Sequence, residues 1–510
     1  MKRIEKMARL DRIKRAFPLN EDILALAKGT GITFLGEMVY VAVTYAYGIT
    51  IARYLGAGEY GIFFLGVTVF NLVALLSQCG IEDGLMRFLG RYVQKNDMNE
   101  ARRMIRSSFF FAIALGTVTG GICFFSADLL AERLFHKPEL GSILRYLSLA
   151  VPIFGVMTVS VTSIRGIKVV MPYVFIRKIF FPVVTFGLSL ALLVFGFGIR
   201  SVSIVYVLSL FLSASLAAYL LTRYLSPFER KADTSSGQGE YFSFVGTSFL
   251  VNVLIFLFVW SDVIVLGTFR SAQELGVYFA AKKTAFVINL LLMSLNSIFI
   301  PTISHLHSAD RHDQLDHIFK ISTRWMLILG LPLFLVISLF SREILRLFSP
   351  DFETGYLCLI ILAFAQLVNI SVGSVGYILM MTGHQRWMVF NAAVFAALAV
   401  FLNIVLVPSY GMVGAAYAKG ISIILLNVVA LAEVYALLKL HPYSILYFKA
   451  LAAGLASAAV AYALKNYLPD GGSGVLMILK LAFVPVVFFA IIIKYALDDS
   501  ERKILMTVKQ

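Results

Sequence analysis

The sequence predicts an all-α membrane protein with 14 transmembrane helices, and three observations carry that prediction. First, 59% of the 510 residues are hydrophobic and only 14% are charged, whereas soluble domains carry about 25% charge. The mean hydropathy is +0.85. Second, the apolar residues fall almost end to end in blocks near the ~20 residues that a helix needs to cross the hydrocarbon. Third, the polar breaks between the blocks are far shorter than a domain. A soluble enzyme, a nucleic-acid-binding domain and a disordered chain are thereby excluded.

Apolar runs read against polar breaks place the first seven spans at 29–52, 61–83, 107–128, 144–164, 176–198, 202–222 and 243–268. The other seven fall at 276–300, 322–341, 356–381, 388–407, 412–437, 447–465 and 474–496. Loops as short as 198–201 and 410–412 force neighbouring spans antiparallel. The first 28 residues are polar and basic, with no cleavage-type small-residue site after a short apolar region. The first apolar block is therefore read as a retained span rather than a signal peptide.

Orientation follows the Lys/Arg bias of the loops. With the N-terminus inside, 31 of the 44 Lys and Arg lie on the inner side, 9 on the outer side and 4 within spans. Both termini are expected in the cytoplasm, with the chain multi-pass in the cell membrane. The formal net charge of +15 thus reports topology first, and no nucleic-acid partner is expected. Cys79, Cys123 and Cys358 lie in apolar segments without metal-site spacing and read as small core residues.

The chain also carries an internal repeat. Glu59-Tyr60-Gly61-Ile62-Phe63-Phe64 aligns with Glu274-Leu275-Gly276-Val277-Tyr278-Phe279 at an offset of 215. Arg165-Gly166 matches Thr382-Gly383 at 217, Gly198 matches Gly411 at 213, and the polar stretch 96–107 is echoed by 309–321 at 214. Six spans duplicated as spans 7–12 give a parallel repeat, because six is even, with spans 13 and 14 appended. The expected units are a basic tail (1–28), an N-terminal lobe (29–225), a linker (226–242), a C-terminal lobe (243–438) and a final segment (439–510). In transporters built this way, substrate sites lie between the halves, and rocking of the halves gives alternating access.

Four segments carry a family resemblance. They are Ala52-Arg53-Tyr54-Leu55-Gly56-Ala57-Gly58-Glu59-Tyr60-Gly61, then Gly80-Ile81-Glu82-Asp83-Gly84-Leu85-Met86-Arg87-Phe88, then Gly276-Val277-Tyr278 with Ala281 and Lys283, and finally Pro301 with Ser304. With the 6+6+2 plan, they resemble the polysaccharide-biosynthesis flippases, the lipid-linked oligosaccharide exporters of the multidrug/oligosaccharidyl-lipid/polysaccharide (MOP) exporter superfamily. The resemblance implies V-shaped lobes around a central cavity. It also implies transfer of a polyprenyl- or dolichyl-(pyro)phosphate oligosaccharide from the cytoplasmic to the outer leaflet. The sugar and phosphate would cross a hydrated, cationic lumen while the lipid tail stays in the bilayer near spans 13 and 14. Implied partners are that substrate, membrane lipids and glycan-assembly enzymes; no cofactor is implied, and a proton or Na⁺ is the candidate coupling ion.

Charges inside spans cost about 2.5–3.5 kcal/mol each on insertion scales, so they usually face a cavity or a partner. Lys282 and Lys283 on span 8, Lys419 on span 12 and Asp262 on span 7 are expected at similar depth, about 10 Å below the outer surface. Asp262 with one lysine is a candidate ion pair. Lys283 and Lys419 are candidate phosphate ligands with Lys282, Arg53 and Arg165 as further cavity cations. The alternative for the lysines, and the favoured reading for Lys480, is snorkelling to the interface. Glu37, about 12 Å into span 1 from the cytoplasmic side, is a candidate coupling carboxylate or a partner for Arg165, Arg87 or a hydroxyl. Glu82, Asp83 and Arg87 read as a gate, or as a solvated end, closing span 2. Arg165, Lys168, Arg177 and Lys178 ring the same mouth.

His305, His307, His312, Asp313, Asp316 and His317 crowd the loop after span 8, but the corresponding loop after span 2 has no histidine. A polar cytoplasmic loop is preferred there to a metal site. Two other functions stay in view. One is a multidrug cation antiporter of the same superfamily; the other is a membrane glycosyltransferase or polymerase. The second is disfavoured by scattered outer acids (Glu132, Glu139, Asp351, Glu353) and by the lack of a nucleophile–base pair or a phosphate-cradling glycine loop. No catalytic residue is assigned.

Overall fold

The computed structural model describes residues 21–95, 97–225, 238–467 and 474–495. The expectations for residues 1–20, most of the 226–242 linker, the C-terminal tail and the Lys480 side chain lie outside the described residues. The described residues form helices joined by turns, ten of them long and apolar enough to cross a membrane. In order they begin with α1 (Glu21–Gln78), α2 (Ile81–Gln94), α3 (Met98–Leu129), α4 (Glu139–Gly166), α5 (Val170–Val174), α6 (Phe181–Val194) and α7 (Ile199–Leu225). Then follow α8 (Gln238–Phe269), α9 (Ala272–Ala285), α10 (Asn289–Ser308), α11 (His312–Leu339) and α12 (Ser341–Arg346). The last are α13 (Tyr356–Ser371), α14 (Val375–Met381), α15 (Gln385–Leu438), α16 (Ile445–Tyr467) and α17 (Gly474–Tyr495).

Two of these helices are too long for one crossing. A straight α-helix the length of α15, 54 residues, would extend about 80 Å, far more than the ~30 Å hydrocarbon. Both long helices are broken at a glycine with non-helical backbone, Gly56 (φ 76°) in α1 and Gly411 (φ 58°) in α15. Only glycine takes such angles without a Cβ clash. The chain folds back at each break. The Tyr47 and Phe63 ring centroids are 6.3 Å apart, although their spacing along a straight helix would separate them by about 24 Å. Likewise, a Cβ on Gly414 would overlap the Leu406 carbonyl.

Several expected boundaries move. Span 2 ends at Gln78, because Cys79 (φ 45°) and Gly80 (φ 84°) both take left-handed backbone. Glu82, Asp83 and Arg87 therefore belong to the separate amphipathic helix α2 and not to the end of a span. Cys79 sits in that turn, half-buried, rather than in the core, while Cys123 and Cys358 are buried. Span 8 begins at Ala272, where Ser271 Oγ caps the Glu274 N–H at 3.2 Å, four residues earlier than the hydropathy suggested. A turn of 3-10 helix at Phe286–Ile288 interrupts that span, and a break around Gly373 (φ 75°) divides span 10 into α13 and α14.

The first half of the chain packs around α4, which lies against α3 and α7. Gly116 and Gly120 let α3 approach Pro152 and the Ser148 carbonyl of α4 at backbone distance, the small-residue packing that membrane interiors favour. The second half is organised by α15, packed on α8 and α13, and α16 and α17 lie against α11. The halves meet along α1 and α9, with α8 also touching α1 and α2. The histidine-rich stretch spans the end of α10 and the first turns of α11. Its groups pair locally, His312 with Asp310 at 3.0 Å and Lys320 with Asp316 at 2.5 Å. Among the described residues no three metal-ligating side chains converge.

Candidate functional site

A cavity of about 340 Å³ lies between the two halves. Asn71 and Gln78 of α1, Glu82 and Asp83 of α2, and Arg177 of the π-helical turn Phe175–Phe180 line it from one side. Asn252, Phe256, Val259 and Trp260 of α8 line it from the other. Within it Arg177 Nη1 meets Glu82 Oε1 at 2.7 Å, and Asn252 Nδ2 donates to Asp83 Oδ2 at 2.8 Å across the halves. Partial burial raises the Asp83 carboxyl, opposed by that amide bond. The cavity thus offers carboxylates, amides, a guanidinium and an indole inside an apolar, membrane-spanning bundle. Arg87 does not line it; its guanidinium lies over the Phe244 ring at 4.4 Å, holding α2 to α8.

Behind the α8 wall lies a charge cluster. Asp262 is fully buried and receives Lys282 Nζ at 2.8 Å and the Tyr278 hydroxyl at 2.6 Å. Lys282 Nζ also donates to the Val259 carbonyl at 2.8 Å and lies 4.7 Å from the centre of the Trp260 ring. Lys419 Nζ donates to the Phe258 carbonyl and, at 3.4 Å, to Val259 O. With α9 starting at Ala272, Lys282 and Lys283 lie about 15 Å along it. The ammonium groups of these three lysines are bonded to a carboxylate or to main-chain carbonyls inside the protein, and snorkelling does not describe them in this conformation.

The structure separates Lys283 from that cluster. Adjacent residues on a helix diverge by about 100°, and Lys283 turns instead to α1, where Nζ donates to the Thr44 carbonyl and lies 5.4 Å from the Phe64 ring centre. Lys283 and Lys419 thus bond different helices, so in this conformation they do not form one phosphate clamp. Arg53, expected as a cavity cation, is exposed, and its Nε donates to Leu347 O at 2.7 Å. Arg165 stacks over Tyr173 at 4.8 Å and is replaced in the cavity lining by Arg177.

The Arg53 and Lys283 bonds belong to a seal at the end where α1, α8–α9 and α15 turn. Gly61 and Gly276, the paired glycines of the sequence repeat, face each other. A Cβ on Gly61 would overlap the Ala272 carbonyl, and one on Gly276 the Ala57 carbonyl. Phe64 stacks on Phe279 at 4.5 Å, and Tyr60 packs against Phe348 and Phe352. Tyr45 bonds Thr284 at 3.0 Å. Lys137 enters from the loop before α4 and donates to Gly267 O at 2.5 Å and Arg270 O at 2.8 Å. Burial pulls its pKa below the usual lysine range.

Glu37 finds a partner that the sequence reading did not choose, Lys178 at 2.7 Å. Arg165 and Arg87 are both engaged by rings, and the π-helical turn Phe175–Phe180 brings Lys178 over Tyr40 at 4.8 Å. Removing the partner of a half-buried charge costs more than the pair contributes. Glu37→Gln and Lys178→Met are each expected to lower thermal stability in detergent, and the double variant should lose less than the two singles together. Strictly additive losses would show that the pair is not coupled.

Of the cavity lining, Arg177 was legible only as one of four basic residues at a mouth. Asn71, Gln78, Asn252 and Trp260 were missed, because amides and aromatics inside apolar runs carry no charge signal.

Residues 50–351 match the polysaccharide biosynthesis protein family. Two proteins of Haloferax volcanii are similar to the chain. The one named probable low-salt glycan biosynthesis flippase Agl15 is 22% identical over 77% of this chain and 78% of its own length. The one named probable flippase AglR is 24% identical over 88% and 91%. Among solved structures, the inward closed conformation of the lipid II flippase MurJ has a TM-score of 0.72 at 13% identity, covering 92% of this chain and 99% of that one. An inward-facing multidrug resistance MATE family transporter of the MOP superfamily has a TM-score of 0.66 at 15% identity, covering 80% and 98%. These likenesses show the fold.

Proposed function

Because the chain belongs to the polysaccharide biosynthesis protein family, we propose that it is a flippase carrying a polyprenyl- or dolichyl-(pyro)phosphate-linked oligosaccharide from the cytoplasmic to the outer leaflet by alternating access. Its product feeds cell-surface polysaccharide or glycoprotein assembly, and glycan-assembly enzymes are its partners. The observation that carries this reading is the polar cavity between two halves, which at the end this reading makes the outer one are sealed by contacts that a rocking motion can break. The names of the similar Haloferax proteins support the same class.

In this reading the chain crosses the membrane 14 times, as two six-span repeats (29–225 and 243–438) followed by two spans, with both termini cytoplasmic. The breaks at Gly56 and Gly411 and the facing glycines of the repeat support that count. Arg177 takes the phosphate, Trp260 stacks on sugar, and Asn71, Gln78 and Asn252 bond hydroxyls. Glu37, salt-bridged to Lys178, is the candidate proton- or Na⁺-linked group, and Glu82, Asp83 and Arg87 form the inner gate. No catalytic step is assigned.

The test is reconstituted flipping of a fluorescent lipid-linked oligosaccharide in proteoliposomes. Wild type should move the label between leaflets, and Arg177→Ala should slow it by about tenfold to a hundredfold, the loss of one charge-assisted phosphate contact. No flipping by wild type, together with export of a cationic dye, would favour the cation antiporter instead.

A further inference from the structure

Besides its glycine and aromatic contacts, the outer seal holds cations of one half donating to main-chain carbonyls of the other. Arg53 Nε donates to Leu347 O at 2.7 Å, and Lys137 Nζ to Gly267 O at 2.5 Å and Arg270 O at 2.8 Å. In the opposite sense, Lys283 Nζ donates to Thr44 O. Lys137 and Lys283 also lie against apolar surroundings, Lys137 being only 8% exposed.

The acceptors in these bonds are neutral. A carbonyl satisfies a donor but leaves the cation's charge uncancelled, and an oxyanion offered to the same nitrogen makes a shorter bond roughly twice as strong. The carbonyls given up are cheap to release. Those of Gly267 and Arg270 lie at the C-terminal end of α8, where helix carbonyls lack intrahelical partners and water can replace the lysine. The three cations also stand at different depths. Lys283 is about 16 Å below the start of α9, Arg53 is about 5 Å below the Gly56 break, and Lys137 lies in the loop at the rim.

We propose that the outer seal is keyed to an anion: a diphosphate rising from the cavity takes Lys283 from Thr44 O, then Arg53 and Lys137 from the carbonyls of the opposite half, and the outer end opens beneath it. The identity of the cargo rests on the flippase reading; the response to a diphosphate does not. Such a seal resists opening when the cavity is empty and re-forms once the anion has left, because each cation returns to a waiting carbonyl. It also makes the same cations serve successively as lock and as phosphate ligands. The bonding of Lys283 and Arg53 to carbonyls in the closed state and their expected part in anion passage then cease to conflict.

The test uses the full chain in nanodiscs with the three native cysteines replaced by serine and spin labels at Glu132→Cys and Asp351→Cys, exposed outer positions on opposite halves. Inorganic pyrophosphate and geranylgeranyl diphosphate are the probes. In the otherwise unchanged protein, either probe should raise the long-distance population, by about tenfold for each cation re-partnered. A response to the lipid form alone assigns the anion to a lipid headgroup. Lys283→Gln should lose the response and Lys283→Arg should keep it. Lys137→Gln should lengthen the distances even without a probe, which a variant that merely fails to reach diphosphate would not do. Distances indifferent to both probes, or a Lys283→Gln response equal to that of the parent, would overturn the proposal. Because the readout is a distance, that outcome leaves the flippase reading standing. Absent oligosaccharide flipping with an intact diphosphate response would remove only the flippase reading.

Discussion

Asp262→Asn is expected to be the most damaging single substitution for folding. Asp262 is fully buried, ion-paired with Lys282 at 2.8 Å and bonded by Tyr278 at 2.6 Å. Taking away its charge leaves the Lys282 ammonium with only a carbonyl and an amide, and it strips Lys419 of its nearest counter-charge. Breaking a buried pair in this way costs about 3–5 kcal/mol, whereas replacing both partners with apolar groups is often near neutral. Membrane-inserted monomer yield and melting temperature in detergent should therefore fall sharply for Asp262→Asn. Much of the loss should return in the double variant Asp262→Leu, Lys282→Met. An Asp262→Asn protein as stable as wild type would show that the cluster does not hold the second half together.

The second large effect is conformational. Gly61→Leu should leave the protein folded and membrane-inserted but unable to close its outer end, because even a Cβ at this position would overlap the Ala272 carbonyl on the other half. Overpacking of this kind costs about 1–3 kcal/mol, enough to shift a two-state equilibrium by roughly tenfold to a hundredfold. Gly276→Leu should act in the same way from the opposite side. Gly58→Ala, at a glycine whose Cβ would meet nothing within 4 Å, should be silent. The readout is labelling of a single cysteine at Tyr60, which is wholly buried in the seal. Equal protection of that cysteine in wild type and Gly61→Leu would contradict the mechanism.

Gly61 and Gly276 were paired in the sequence by the expected repeat, yet what the pairing does was not legible there. An aligned Gly pair reads first as shared ancestry, and only the contact shows that both glycines are needed because two backbones meet there. Lys282 and Lys283 illustrate the opposite case. Hydropathy placed them inside a span, and helix geometry required them to diverge, but which one faced Asp262 depended on the rotation of α9. The helix itself starts earlier than the apolar run, because the polar cap Ser271-Ala272-Gln273-Glu274 forms its first turn. Glu37 was assigned the wrong set of partners for a similar reason. Lys178 lies far along the chain, inside the π-helical turn Phe175–Phe180, whose wider winding re-aims its side chains relative to a regular helix.

By itself the sequence determined the solvent and the element type. The apolar blocks leave the backbone no water to bond, so each block must satisfy its own N–H and C=O groups as a helix. It also placed two of the chain reversals, since Gly56 and Gly411 fall in expected loops and take backbone angles that other residues resist; the end of span 2 at Gly80 it did not place. Tertiary structure alone decided which charges are spent and which are poised. Lys282 is held by a carboxylate, Lys283, Arg53 and Lys137 are held by neutral carbonyls of the opposite half, and Arg177 with a set of amides faces the cavity. Those outcomes depend on helix rotation and on contacts between residues hundreds of positions apart, and hydropathy, a sum over neighbours in the chain, carries neither.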